Sequence, residues 1–61
     1  MKRRAFLKYL NQNNCQLLRE GKKHSVFWNT VNRKTTAIPR HTEVSDNLIK
    51  KICKDLGIPK I

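Results

Sequence analysis

The sequence predicts a small α+β domain of order α-β-β-β-α, with a three-stranded antiparallel sheet and both helices packed on one face of it. Three observations predict it. Residues 2–13 and 45–56 repeat apolar side chains at helical spacing, one segment near each end of the chain. Between them lie three short stretches of apolar and β-branched residues, 15–20, 25–29 and 35–38. The links between these stretches are too short for a parallel crossover, so neighbouring strands must run antiparallel. At 61 residues the whole chain, 1–61, reads as one domain with one core, and chains this short bury only about 60% of the surface that the unfolded chain exposes.

In the first helix, Phe6, Tyr9, Leu10 and Asn13 fall at i, i+3, i+4 and i+7, with Leu7 beside them, and form an inward stripe. Lys2, Arg3, Arg4 and Lys8 take the remaining surface. Cations in the first turn oppose the helix dipole, so either that end frays or the charges serve another purpose. The polar run at residues 11–14 ends the helix, with asparagine suited to a left-handed cap. Strict alternation in the first strand places Cys15, Leu17 and Arg19 on one side and Gln16, Leu18 and Glu20 on the other. Gly21 breaks that strand. In the second strand Ser25 and Phe27 oppose Val26, Trp28 and the ring of His24, and Phe27 is the expected core residue.

Residues 29–34 form a turn in which Asn32 is the residue suited to positive φ. The third strand is short and β-branched, and Pro39 ends it. Residues 39–44 connect to the second helix. There Ser45 is the expected N-cap and Asp46 complements the dipole. Leu48, Ile49, Ile52, Cys53 and Leu56 make a wide apolar face, with Lys50, Lys51 and Lys54 on the other side. Gly57 stands just past the helix end, and Pro59 prevents its continuation.

Fourteen Lys and Arg against four Asp and Glu give a formal charge of +10. An excess this one-sided favours a polyanion: nucleic acid first, an acidic membrane or acidic protein second. A chain this short encloses no cleft for a small-molecule substrate, so binding is expected on an open surface. Cys15 and Cys53 sit inside apolar patterns and read as buried thiols. A zinc site built from Cys15, His24, His41 and Cys53 lacks the paired short spacings of such sites, and neither metal nor cofactor is expected. No apolar run approaches the ~20 residues of a membrane span. The basic start is followed by neither an apolar core nor a small-residue cleavage site. A cytoplasmic protein without membrane contact is therefore expected.

Chemistry concentrates at residues 20–27. His24 follows a glycine-containing loop, with Lys22 and Lys23 beside it and Arg19 close in sequence. A neutral imidazole can serve as general base on an RNA 2′-hydroxyl. The cations would hold the phosphate and stabilise developing charge. Internal attack by the 2′-hydroxyl needs neither metal nor protein nucleophile, which suits a chain without clustered carboxylates. His41 either shares the acid–base work or orders the connector. Trp28 either stacks on a base or covers a core or protein contact. Lys50, Lys51 and Lys54 either bind phosphates or form the solvated side of an amphipathic helix. Gly21 and Ser25 are auxiliary candidates through their place beside His24.

The ordered set Leu17-Leu18-Arg19-Glu20-Gly21-Lys22-Lys23-His24-Ser25-Val26-Phe27, then Ile38-Pro39-Arg40-His41, then an apolar helix ending Lys54-Asp55-Leu56-Gly57-Ile58, resembles the HicA family of mRNA interferase toxins. The resemblance runs from about Phe6 to Ile58. It implies a fold like that of double-stranded-RNA-binding domains and metal-independent endoribonuclease cleavage of mRNA. It also implies a catalytic histidine three residues ahead of an aromatic, the position of His24 before Phe27. A cognate acidic antitoxin of the HicB type is the implied partner. The loop is one residue longer than the family's Gly-Ser-His form, and Asn32 stands where a glycine is often found. Two rivals stand beside this reading: a non-catalytic RNA-binding module of the same fold, and a DNA-binding protein using the second helix, whose exposed face offers few base-reading side chains.

Overall fold

The computed structural model describes residues 1–60 and gives the expected order: α1 (Arg3–Gln12), β1 (Cys15–Glu20), β2 (His24–Asn29), β3 (Thr35–Pro39) and α2 (Asp46–Leu56). The strands form one antiparallel sheet in the order β1-β2-β3. Alternation along β2 is complete: Ser25, Phe27 and Asn29 are buried, whereas His24 is exposed and Val26 and Trp28 are half-buried. The buried set faces the helices. Arg3 of α1 reaches Ser25, while Asn29 and Thr36 bond to the Leu56 carbonyl and the Asp55 carboxylate of α2. Both helices thus cover the same face, and the other face of the sheet carries no helix.

The core joins Phe6 and Leu10 of α1, Ile49, Ile52, Cys53 and Leu56 of α2, Cys15, Phe27 and Ile38 of the sheet, and Val44 of the connector. Leu7, Tyr9 and Leu48 pack against it from the flanks of the helical stripes. Cys15 and Cys53 are buried and form no disulfide. Burial, and secondarily the neighbouring Cys53, push the Cys15 thiol above its ordinary pKa. The Ser45 hydroxyl caps α2 by accepting from the Leu48 amide at 3.3 Å, and Gly57 ends the helix at φ +69°. At the end of α1, Asn14 takes the left-handed conformation at φ 65°.

Two local expectations are corrected. The residue with positive φ in the β2–β3 turn is Arg33, at φ 65°, and not Asn32. The Asn32 side chain is committed elsewhere: its amide donates to the Leu56 carbonyl at 3.0 Å and its oxygen accepts from the Lys34 amide at 2.8 Å. The second correction concerns β1. Leu17 pairs with Phe27 but Arg19 pairs with Val26, so Leu18 is an extra residue in a β-bulge. An extra residue reverses alternation beyond it. Arg19 therefore lies on the helix-free side with Val26, not with Cys15 and Leu17, and Glu20, opposite Ser25, turns toward the helix side.

Candidate active site

The β1–β2 loop begins at Gly21, whose amide donates to the His24 carbonyl at 2.8 Å. A Cβ at Gly21 would stand 3.0 Å from that oxygen, a tight contact that glycine avoids. Lys22 and Lys23 form the exposed tip, and His24 opens β2, paired across the sheet with Pro39. The His24 side chain is exposed at the rim of the helix-free face.

Arg40, on the connector just past β3, holds this loop. Its guanidinium donates to the Gly21 carbonyl, to the Lys22 carbonyl at 3.3 Å and to the Glu20 carboxylate at 2.6 Å. The same Glu20 oxygen accepts from the Ser25 hydroxyl at 2.8 Å. That hydroxyl in turn accepts from Arg3 at 2.9 Å, and Arg3 also donates to the Pro39 carbonyl at 3.1 Å. One polar chain therefore runs from α1 through β2 to the loop. The Ser25 hydrogen bond first, then Arg40, holds the Glu20 carboxyl below its ordinary pKa. Ser25 is fully buried and its hydroxyl both donates and accepts, so it acts as the hub of this chain.

The helix-free face is read as rows across the strands. Gln16, Trp28 and Thr35 form one row, Arg19, Val26 and Ala37 the next, and His24 with Pro39 the last. The bulge thus brings Arg19 to the same face as His24 and Trp28. Arg19, Lys22 and Lys23 take part in none of the ion pairs among the described residues, which are formed by the amino terminus and Lys2 with Glu43, by Arg40 with Glu20 and by Lys51 with Asp55.

The same end of the molecule gathers further cations. The Arg3 amide bonds to the Thr42 carbonyl and Lys2 bridges to Glu43, which ties the start of α1 to the connector. Between them lies an open groove of about 680 Å³ lined by Lys2, Arg3, Arg4, Ala5, Lys8 and Thr42. His41 is exposed on this connector, two residues beyond the partner of His24. Lys50, Lys51 and Lys54 are not part of this grouping. They lie exposed on α2, in the helical layer that covers the opposite side of the sheet from His24. Lys51 pairs with Asp55 at 2.9 Å, and that carboxyl, which also accepts from Thr36, lies below its ordinary pKa for those two reasons in that order.

Sequence reasoning brought His24, Lys22, Lys23, Gly21, Ser25 and Arg19 to one region, and they are together. It missed Arg40 and the purpose of Arg3. One signal was available: in a chain with four carboxylates and +10 net charge, a carboxylate next to a loop glycine calls for a cationic partner. Among the described residues, no three of His, Cys, Asp and Glu gather into a group that could hold a metal ion, and no helix is long and apolar enough to cross a membrane.

Residues 3–58 match the protein family described as the HicA toxin of bacterial toxin–antitoxin. No curated protein and no solved structure matches the chain. The matched range takes in both helices, all three strands and the Arg40 connector. This protein therefore belongs to the HicA toxin family of bacterial toxin–antitoxin systems, and an antitoxin is its counterpart.

Proposed function

We propose that the protein is a toxin acting as an endoribonuclease on mRNA, with His24 as the general acid–base group. The observation that carries this reading is an exposed histidine on a clamped loop, at the end of the molecule where Lys22, Lys23 and Arg19 have no carboxylate partners among the described residues. His24 takes the proton from a ribose 2′-hydroxyl as that oxygen attacks the adjacent phosphorus. The P–O5′ bond breaks, leaving a 2′,3′-cyclic phosphate, and the departing 5′-oxygen takes up a proton from water while His24 returns its own to solvent. Lys22 and Lys23 bind the phosphate and stabilise the negative charge that grows on its free oxygens. Arg40 and Gly21 fix where the loop presents the imidazole. An acidic antitoxin of the HicB type would cover this basic end.

Replacing His24 with Ala is expected to preserve the fold, since the side chain is exposed, and to preserve binding to an RNA oligonucleotide. Cleavage by purified protein and growth inhibition on expression should both fall by at least about a hundred-fold, the usual worth of a positioned acid–base group. Undiminished cleavage by nuclease-free H24A protein would remove His24 from the mechanism. Absence of cleavage by the wild-type chain, with RNA still bound, would favour a non-catalytic RNA-binding module.

A further inference from the structure

We infer that the helix-free face of the sheet is a binding platform for single-stranded RNA, with Trp28 as the base-stacking subsite and Arg19 as the phosphate contact between that subsite and His24. The inference rests on the RNA-cleaving reading above and specifies its substrate. Trp28 and His24 lie on one strand and one face, four residues apart. That separation is about 13 Å at the rise of a strand, a span that a short run of extended single strand covers.

Arg19 stands between them. It is opposite Val26, midway from Trp28 to His24 along β2, and only the bulge at Leu18 puts it there. The face carries no carboxylate among its described residues, because the same bulge turns Glu20 to the other side, where Ser25 and Arg40 engage it. Trp28 is half-buried, its row completed by Gln16 and Thr35. It is thus held in place with part of its ring open to the face that no helix covers.

The chemistry selects a single strand over a duplex. A base inside a duplex already has both π-faces covered by its neighbours and cannot stack on a side chain without leaving the helix. Internal attack also needs the 2′-oxygen, the phosphorus and the 5′-oxygen brought into line. The regular A-form backbone does not supply that arrangement, whereas a flexible single strand can adopt it. A stacked base at Trp28 and a phosphate on Arg19 would hold the strand so that the next linkage reaches His24.

Trp28 is the single tryptophan of the chain, so its fluorescence reports this subsite directly. The experiment titrates H24A protein, chosen for its expected loss of cleavage, at low salt with three probes: an unstructured oligoribonucleotide, the same sequence as a duplex, and inorganic polyphosphate. The expected result is quenching by the single strand, with little change on binding duplex or polyphosphate. In parallel, Trp28→Leu should weaken single-strand binding by about ten-fold while Trp28→Phe retains most of it, and neither should alter polyphosphate binding. Equal quenching by all three probes, or single-strand binding without any spectral change, overturns the inference. So does a response of Trp28 to an antitoxin but not to RNA, which would make the face a protein-docking surface. Should the variants fail to fold, the titration of the tryptophan-containing protein decides alone. Quenching by single-stranded RNA without cleavage by the wild-type chain keeps the platform and removes the nuclease; cleavage without quenching does the reverse.

Discussion

Truncating Arg40 removes one donor group from three acceptors: the Gly21 and Lys22 carbonyls, and the Glu20 carboxylate, which keeps its Ser25 hydrogen bond. All are near solvent, so water replaces the lost partner and global stability should change little. The loop, however, loses the group that fixes it to the connector. Arg40→Ala is expected to lower kcat for RNA cleavage about ten-fold or more with a smaller effect on KM, because positioning matters most in the transition state. Arg40→Lys should restore only part of it, since an ammonium cannot span carboxylate and carbonyls as a planar fork does. The contact also has a pH signature. Glu20 titrates below its ordinary value in the folded protein, so its share of the clamp is full above the ordinary carboxylate pKa of about 4.3 and is lost as pH falls through the lowered folded value. The difference in loop protection between wild type and Arg40→Ala, measured by amide exchange, should therefore be larger near neutrality and narrow in acid, where only the two carbonyl contacts remain. A difference that persists undiminished at pH 2 would assign the clamp to the carbonyls alone.

The elements were legible in proportion to how local their causes are. For α2 the cap, the apolar stripe and the terminal glycine all lie within thirteen residues, from Ser45 to Gly57, and each does in the structure what its type implies. Phe27 could be placed in the core because strand alternation is a local property. The bulge in β1 could not be read, since Cys15–Glu20 alternates equally well in either phase and only pairing with β2 decides where the extra residue goes. Arg33 was missed for a related reason. Asn32 is the better left-handed residue by type, but the α2 carbonyl at Leu56 recruits its side chain, and the positive φ moves one position on. The same junction makes Gly57 a strict position. A Cβ there would sit 2.8 Å from the Asn32 side-chain nitrogen, on a backbone at φ +69°. Gly57→Ala should cost about 1–2 kcal/mol from the left-handed backbone alone, plus the disturbance of the Asn32 contact. Chemical denaturation should show this as a lower midpoint at unchanged slope. In a domain of this size, whose whole stability is roughly 3–9 kcal/mol, that loss should be plain.

At the scale of the molecule, charge is distributed by purpose. Of the four carboxylates, Glu20, Glu43 and Asp55 are in ion pairs, and Asp46 serves the first turn of α2. Of the cations outside these pairs, Arg19, Lys22 and Lys23 lie at the end that carries His24, Arg33 and Lys34 lie in the β2–β3 turn, and Lys50 and Lys54 lie on α2. Binding to RNA should accordingly be led by phosphate. Three contacts to a single strand already imply a loss of about twenty-fold in affinity between 50 and 200 mM salt. A titration in which affinity is flat over that range would contradict phosphate-led binding. Composition predicted the preference for a polyanion, but only the fold shows that the α1 cations, far from fraying their helix, are tied through Arg3 and Lys2 into the same end as the loop. The unpaired residue in β1 has one more consequence, for comparing chains of this fold by their sequences. Because Leu18 has no partner of its own, a relative one residue shorter in this strand can keep every cross-strand pair, provided the gap is set opposite Leu18. Set before Leu18 in β1, the same gap would equate residues that point to opposite sides of the sheet.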